Sequence, residues 1–183
     1  MSLQMGTKKG LALAQLGQLL YYPRQSYQAA VLLASISVSR DYPSVSKALG
    51  QFAKTCQTKS LQDLEEIYTS TFDLAAICSP YITGYIYGDE SYDRGTLMAQ
   101  FSAQYDEIGF DTNGELPDHL ALVLCYASWL DNEALDELIT YCLLEPVKAM
   151  VEKLKDSNNP YFNLLSAVLI LVQDKDGGRN TDD

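Results

Sequence analysis

The stretch GELPDHL, residues 114–120, carries the single histidine of the chain, His119, directly behind Pro117 and Asp118. Imidazole titrates near neutral pH, so any histidine-based acid–base or metal chemistry is confined to this stretch. A nucleophile–base–orienter set would need a third group brought up in space. Adjacent helical residues point about 100° apart, so on a helix Asp118 is poorly placed to orient the His119 ring. The four cysteines, Cys56, Cys78, Cys125 and Cys142, contain no C-x-x-C pair. One histidine adds little to a zinc ligand set. They read as reduced, buried, structural thiols, and neither a metal nor a cofactor is expected. No G-x-S-x-G, phosphate loop or dinucleotide fingerprint is present. The chain therefore reads as a non-enzyme with no catalytic residues, a small hydrolase using Asp118 and His119 being the minor alternative. A plainer reading makes the stretch a helix start. Pro117 then stands in the first turn, Asp118 faces the positive end of the dipole, and Glu115 and Asp118 help cap open N–H groups.

The elements that must position these residues are helical. At 183 residues, with 47% hydrophobic and 20% charged side chains, the chain fits one domain with a sizeable core. Apolar residues recur with helical spacing nearly everywhere and alternate almost nowhere. A first helix is expected over Lys8–Tyr22, a second after Pro23, and a third from Pro43. A fourth is capped by Ser60 with Asp63 three residues on. Leu61, Leu64, Tyr68 and Phe72 form its inward stripe. The segment DLAAICSPYITGYIYGDE reads as the least regular, broken by Pro80, Gly84 and Gly88 and rich in tyrosine (Tyr81, Tyr85, Tyr87). Ser91 caps a fifth helix that ends at Gly109. A sixth from Pro117, apolar all round, should be central. A seventh from Asn132 is bent or ended by Pro146, and an eighth starts at Pro160. The expectation is an all-α, single-domain bundle of about eight or more helices over residues 1–173, with a disordered tail at 174–183.

Charge is divided unevenly along the chain. Residues 1–59 sum to +6, residues 60–145 to −16 with Arg94 the one basic residue, and residues 146–183 to −1, for a total of −11. The middle segment repels nucleic acid and favours a cationic partner; its bland reading is a solvated surface. The charge-free apolar runs fall well short of the roughly 20 residues that cross a bilayer, so no stable membrane insertion is expected. No export signal is recognisable, which points to the cytoplasm. Arg94 reads as an internal salt-bridge hub.

Four segments, YTSTFDL, SPYITGYIYGD, DRGTLMAQFSAQYDEIGF and ELPDHLALVL, occur in this order between residues 68 and 124. Together they resemble the nitrate reductase delta-subunit family, the NarJ-type branch of the TorD-like molybdoenzyme chaperones. The resemblance covers roughly residues 64–130. It implies an all-α cytoplasmic chaperone for the apo catalytic subunit of a molybdoenzyme. Such a chaperone binds the client's N-terminal peptide and holds it until molybdenum cofactor is inserted. Recognition residues carry over to Tyr68 and Phe72 and to Pro117, Asp118 and His119, with Gly88, Asp89, Arg94 and Gly95 matching the motif between them. Tyr81, Tyr85 and Glu115 complete the candidate peptide-binding set: an amphipathic peptide needs an apolar groove and a rim that selects its charge. A generic acidic helical adaptor for another protein is the competing class, and a homodimer is left open.

Overall fold

The computed structural model describes residues 6–88 and 90–175. Its first helices are α1 (Lys8–Gln18), α2 (Tyr27–Asp41) and α3 (Ser46–Gln57), the last entered through a 3₁₀ turn at Pro43–Val45. Next come α4 (Leu61–Tyr68), α5 (Ile82–Tyr87), α6 (Tyr92–Ile108) and α7 (Leu120–Tyr126). The last three are α8 (Asn132–Leu138), α9 (Leu144–Leu154) and α10 (Tyr161–Gln173). No strand is formed among the described residues, and the all-α architecture agrees with the helical periodicity of the sequence. Asp89 and residues 176–183, most of the expected tail, lie outside the described residues.

Helix α7 is the centre. Every residue from Leu120 to Ala127 is buried, as its unbroken apolar run demands. Helix α1 crosses it closely because Gly10 and Gly17 leave the space. A Cβ on Gly10 would stand 2.3 Å from the Ala127 carbonyl oxygen, and one on Gly17 2.8 Å from Leu124 Cβ. Helix α10, apolar and largely buried, packs on α3 and α9.

Local signals set most of the ends. Ser60 and Asp63 form a reciprocal capping box on α4. Ser91 caps α6, which ends at Gly109 in the left-handed conformation (φ 66°). Three expectations need correction. Helix α1 stops at Gln18 rather than Tyr22, because Leu19 and Leu20 close i−3 turns onto Leu16 and Gly17 before Pro23. Pro146 neither ends nor bends the chain out of helix. It sits in the first turn of α9, directly after a π turn at Ile139–Leu143 whose i−5 bond, Leu144 N–H to Ile139 O, loosens the ladder where proline can give no N–H. The third correction concerns Pro117 and Asp118, at the centre of the candidate site.

Candidate functional site

Pro117 and Asp118 are not helical. Helix α7 starts at Leu120, and His119 is its N-cap in extended conformation (φ −65°, ψ 127°), with Nδ1 accepting from the Ala121 N–H at 3.2 Å. The reason is tertiary. Ile82 N–H donates to the Asp118 carbonyl (3.0 Å) and Leu120 N–H to the Pro80 carbonyl (2.8 Å), an isolated antiparallel bridge between Tyr81 and His119. The Tyr105 hydroxyl adds a bond to the Pro117 carbonyl at 2.9 Å. These bonds hold His119 extended behind a tight turn at Pro117–Asp118, closed by the His119 N–H on the Leu116 carbonyl (3.0 Å), and satisfy backbone groups that a helix would otherwise have satisfied.

Asp118 is fully buried, and its carboxylate turns away from His119 toward α5. Its Oδ2 accepts from the Thr83 hydroxyl at 2.5 Å, while Oδ1 is buried without a partner. Thr83 Oγ1 in turn accepts from Arg94 Nε at 3.1 Å. No Asp118–His119 dyad forms.

The His119 ring, 3% exposed, lies parallel to Tyr21 at 6.1 Å and edge-on to Tyr81 at 5.5 Å. Burial holds its pKa below the ordinary 6.5, against an opposing pull from Glu115 and Asp118. The Nδ1 bond requires that nitrogen to be bare, so the neutral ring carries its proton on Nε2. Because the folded pKa is depressed, the stabilisation from His119 is complete above about pH 6.5 and is lost as pH falls through the folded value. His119→Asn keeps a capping acceptor but cannot titrate. Thermal melts in steps from neutral to mildly acidic pH should show wild type losing stability relative to His119→Asn. Parallel curves would show that the ring does not contribute this way.

Next to His119 a cleft of about 820 Å³ opens between the α1–α2 loop and the loop after α6. Tyr21, Tyr22, Arg24, Tyr68, Asp111 and Glu115 are among its lining residues. The second loop is shaped by Asn113 and Gly114, both at positive φ (53° and 79°), with the Glu115 N–H returning to the Thr112 carbonyl. Consecutive left-handed residues are what Asn-Gly turns supply. The turn sets Glu115 against Tyr81, whose hydroxyl donates to Oε1 at 3.3 Å. Tyr22, edge-on to Tyr68 at 5.4 Å, also belongs to a shallower cleft of about 370 Å³ with Glu65, Glu66 and Leu74. The two hollows meet at Tyr22, with carboxylates in both. Burial raises the Tyr21 and Tyr68 phenols well above 10, so both remain O–H donors.

The candidate residues fall into three groups. Tyr68 and Glu115 line the cleft; Tyr81 and His119 stand directly behind it. Asp118 and Pro117 act from underneath, one through Thr83 and the other through its carbonyl. Phe72 and Tyr85 are elsewhere: Phe72 is buried 4.8 Å from the Tyr161 ring, and the Tyr85 hydroxyl donates to the Ser79 carbonyl under the Lys153 ammonium. Among the middle motif residues, Gly88 is needed for its backbone (φ 79°) at the end of α5, and Gly95 is exposed on α6. Sequence reasoning missed Tyr21, Tyr22 and Thr83. The aromatic pair before Pro23 was the available signal for the first two.

Comparison with known proteins decides the family. The model of the nitrate reductase delta subunit matches residues 39–167. The chain belongs to that family. NarJ of Escherichia coli strain K12, a nitrate reductase molybdenum cofactor assembly chaperone, is 31% identical over 145 residues, which are 77% of this chain and 60% of that protein. The chain thus spans about 60% of the length of that relative. A probable NarJ chaperone of Bacillus subtilis is 27% identical, with 91% of each chain covered. In fold, a redox enzyme maturation protein of Archaeoglobus fulgidus superposes with a TM-score of 0.65 at 16% identity, over 95% of this chain and 99% of that one. The family match extends well beyond residues 64–130, taking in α3 and most of α10. These NarJ relatives are named as assembly chaperones. Among the described residues no cluster of His, Cys, Asp and Glu is placed to hold a metal ion, and no helix is long and apolar enough to cross a membrane.

Proposed function

We propose that this member of the delta subunit family is a system-specific cytoplasmic chaperone. Its client is the apo catalytic subunit of a molybdoenzyme, nitrate reductase alpha or a relative, which it binds by the N-terminal segment while molybdenum cofactor is inserted. The observation that carries the reading is the double hollow joined at Tyr22. It has an aromatic wall (Tyr21, Tyr22, Tyr68) and four carboxylates, Glu65, Glu66, Asp111 and Glu115, against the single cation Arg24. A short amphipathic segment with basic residues fits such a groove: aromatic walls take its apolar anchors and the carboxylates select its charge. The PDH stretch supports the groove from behind.

A synthetic N-terminal peptide of a nitrate reductase alpha subunit, followed by fluorescence anisotropy, tests this. Tyr22→Ala should weaken binding by about 1–3 kcal/mol, the scale of an interface anchor, with little change in melting temperature because Tyr22 is well exposed. Glu65→Lys with Glu66→Lys should weaken it further at low salt and less at physiological salt. Phe72→Ala, by contrast, should lower stability and leave the residual affinity intact. A generic acidic adaptor would bind unrelated basic amphipathic peptides equally well. Equal affinity for a scrambled peptide of the same charge would therefore replace the specific reading with that one.

A further inference from the structure

Helix α2 is apolar on two faces. One, with Val31, Ala34 and Val38, is in the core; the other bears Leu32, Leu33 and Ile36, which are 45%, 68% and 61% exposed. Exposed Ala29, Leu33, Ile36 and Arg40 follow one another at spacings of four, three and four, one row along the helix. Helix α3 runs antiparallel beside it. Ser35 Oγ donates to the Leu49 carbonyl (3.3 Å), and Gln57 Nε2 to the Gln28 carbonyl (2.8 Å). The exposed residues of α3 include Lys47, Gln51 and Lys54. Between Arg24 and Lys59 the chain has five basic residues and one carboxylate, Asp41, whose Oδ1 is 3.3 Å from Arg40 Nε.

We propose that this α2–α3 face is a docking surface for an anionic lipid headgroup layer, used in reversible peripheral contact. Three bulky aliphatic side chains that stand out from a helix, with long cationic side chains around them, match the interface of a bilayer. The aliphatics enter the acyl boundary while Arg40, Lys47 and Lys54 reach headgroup phosphates. Leu32, Leu33 and Ile36 line neither hollow of the peptide groove. They protrude, whereas capture of a partner helix requires a concave seat. The cations Arg40, Lys47 and Lys54 also disfavour two copies meeting on this face, since that sets like charges together. The −16 charge of residues 60–145 is carried by other elements. At physiological salt its repulsion is screened beyond about 8 Å.

Flotation with phosphatidylglycerol–phosphatidylcholine vesicles, against pure phosphatidylcholine vesicles, tests the proposal on the full chain. The chain should float with the anionic vesicles at physiological salt, where the −16 segment is screened, and partition should fall severalfold on removing phosphatidylglycerol. Leu33→Glu with Ile36→Glu should reduce partition at least about tenfold. Lys47→Glu with Lys54→Glu should abolish the preference for the anionic lipid. All four positions are exposed, and unchanged melting curves check that the fold survives. Anisotropy with the client peptide, unaffected by these variants, separates this surface from the groove. Three results would overturn the proposal: no flotation of wild type, flotation that the variants share, or loss of self-association or of an acidic helical peptide by Leu33→Glu in a chain that ignores vesicles.

Discussion

Thr83→Val is expected to destabilise the protein by about 2–3 kcal/mol, the scale of a buried hydrogen bond to a charged group. Valine matches threonine in shape, so packing is preserved and the loss is electrostatic. Asp118 is fully buried with Oδ1 already unpaired. Removing the Thr83 hydroxyl takes the remaining side-chain donor from Oδ2 and strands the carboxylate. It also deprives Arg94 Nε of its acceptor. Asp118→Asn, which keeps an acceptor for Thr83, should cost about 1 kcal/mol alone. In the Asp118→Asn background the Thr83→Val penalty should shrink by about 1–2 kcal/mol, since no charge is left to strand. Chemical denaturation of the four proteins measures this coupling. Additive losses would show that Thr83 and Asp118 do not act as a unit. The same cycle bears on function: with the β-bridge held by backbone bonds alone, client affinity should fall less than stability.

Helical periodicity and end chemistry made most of the fold legible. The Ser60–Asp63 box, the Ser91 cap and the Gly109 stop each act within a few residues, so their partners are present in any local window. What escaped was non-local. A proline followed by aspartate before an apolar run is a sound helix start, yet here the edge of α5 captures His119 in a single bridge. One bridge has no period to detect. The π turn before Pro146 was hidden for a similar reason, because a one-residue widening leaves the apolar spacing almost unchanged.

The candidate site was half legible. The motif stretches led to Tyr68, Glu115 and His119, which do converge in space. Tyr21 and Tyr22 lie about a hundred residues earlier and reach the site only because α1 crosses α7. Phe72 and Tyr68 share a helical spacing of four, but the chain passes through a π turn at Thr69–Asp73. That turn sets the Phe72 ring in the core against Tyr161, while Tyr68 also borders the cleft.

That crossing yields the other large effect. Gly10→Ala and Gly17→Ala should each destabilise by about 1–3 kcal/mol, the cost of forcing extra volume into a packed contact. Helix propensity alone predicts the opposite sign, because alanine favours a helix over glycine by about 1 kcal/mol. The crossing decides which wins. At Gly10 the new methyl meets a backbone oxygen at 2.3 Å, and at Gly17 it meets Leu124 Cβ at 2.8 Å and the Ala121 carbonyl oxygen at 2.9 Å. None of these is the end of a flexible side chain, so the helices must part. Gly50 supplies the internal control: it is exposed on α3 with nothing within 4 Å of its added Cβ. Gly50→Ala should therefore stabilise by about 0.5–1 kcal/mol. Opposite shifts in melting temperature from the same chemical change would establish the α1–α7 contact. Because Tyr21 follows α1 directly and stacks on His119, parting the helices should also loosen the wall of the groove. Gly17→Ala, the nearer of the two to Tyr21, should then weaken peptide binding more than Gly10→Ala does at equal loss of stability. A stabilising Gly10→Ala would mean that α1 does not lie against α7 in this way.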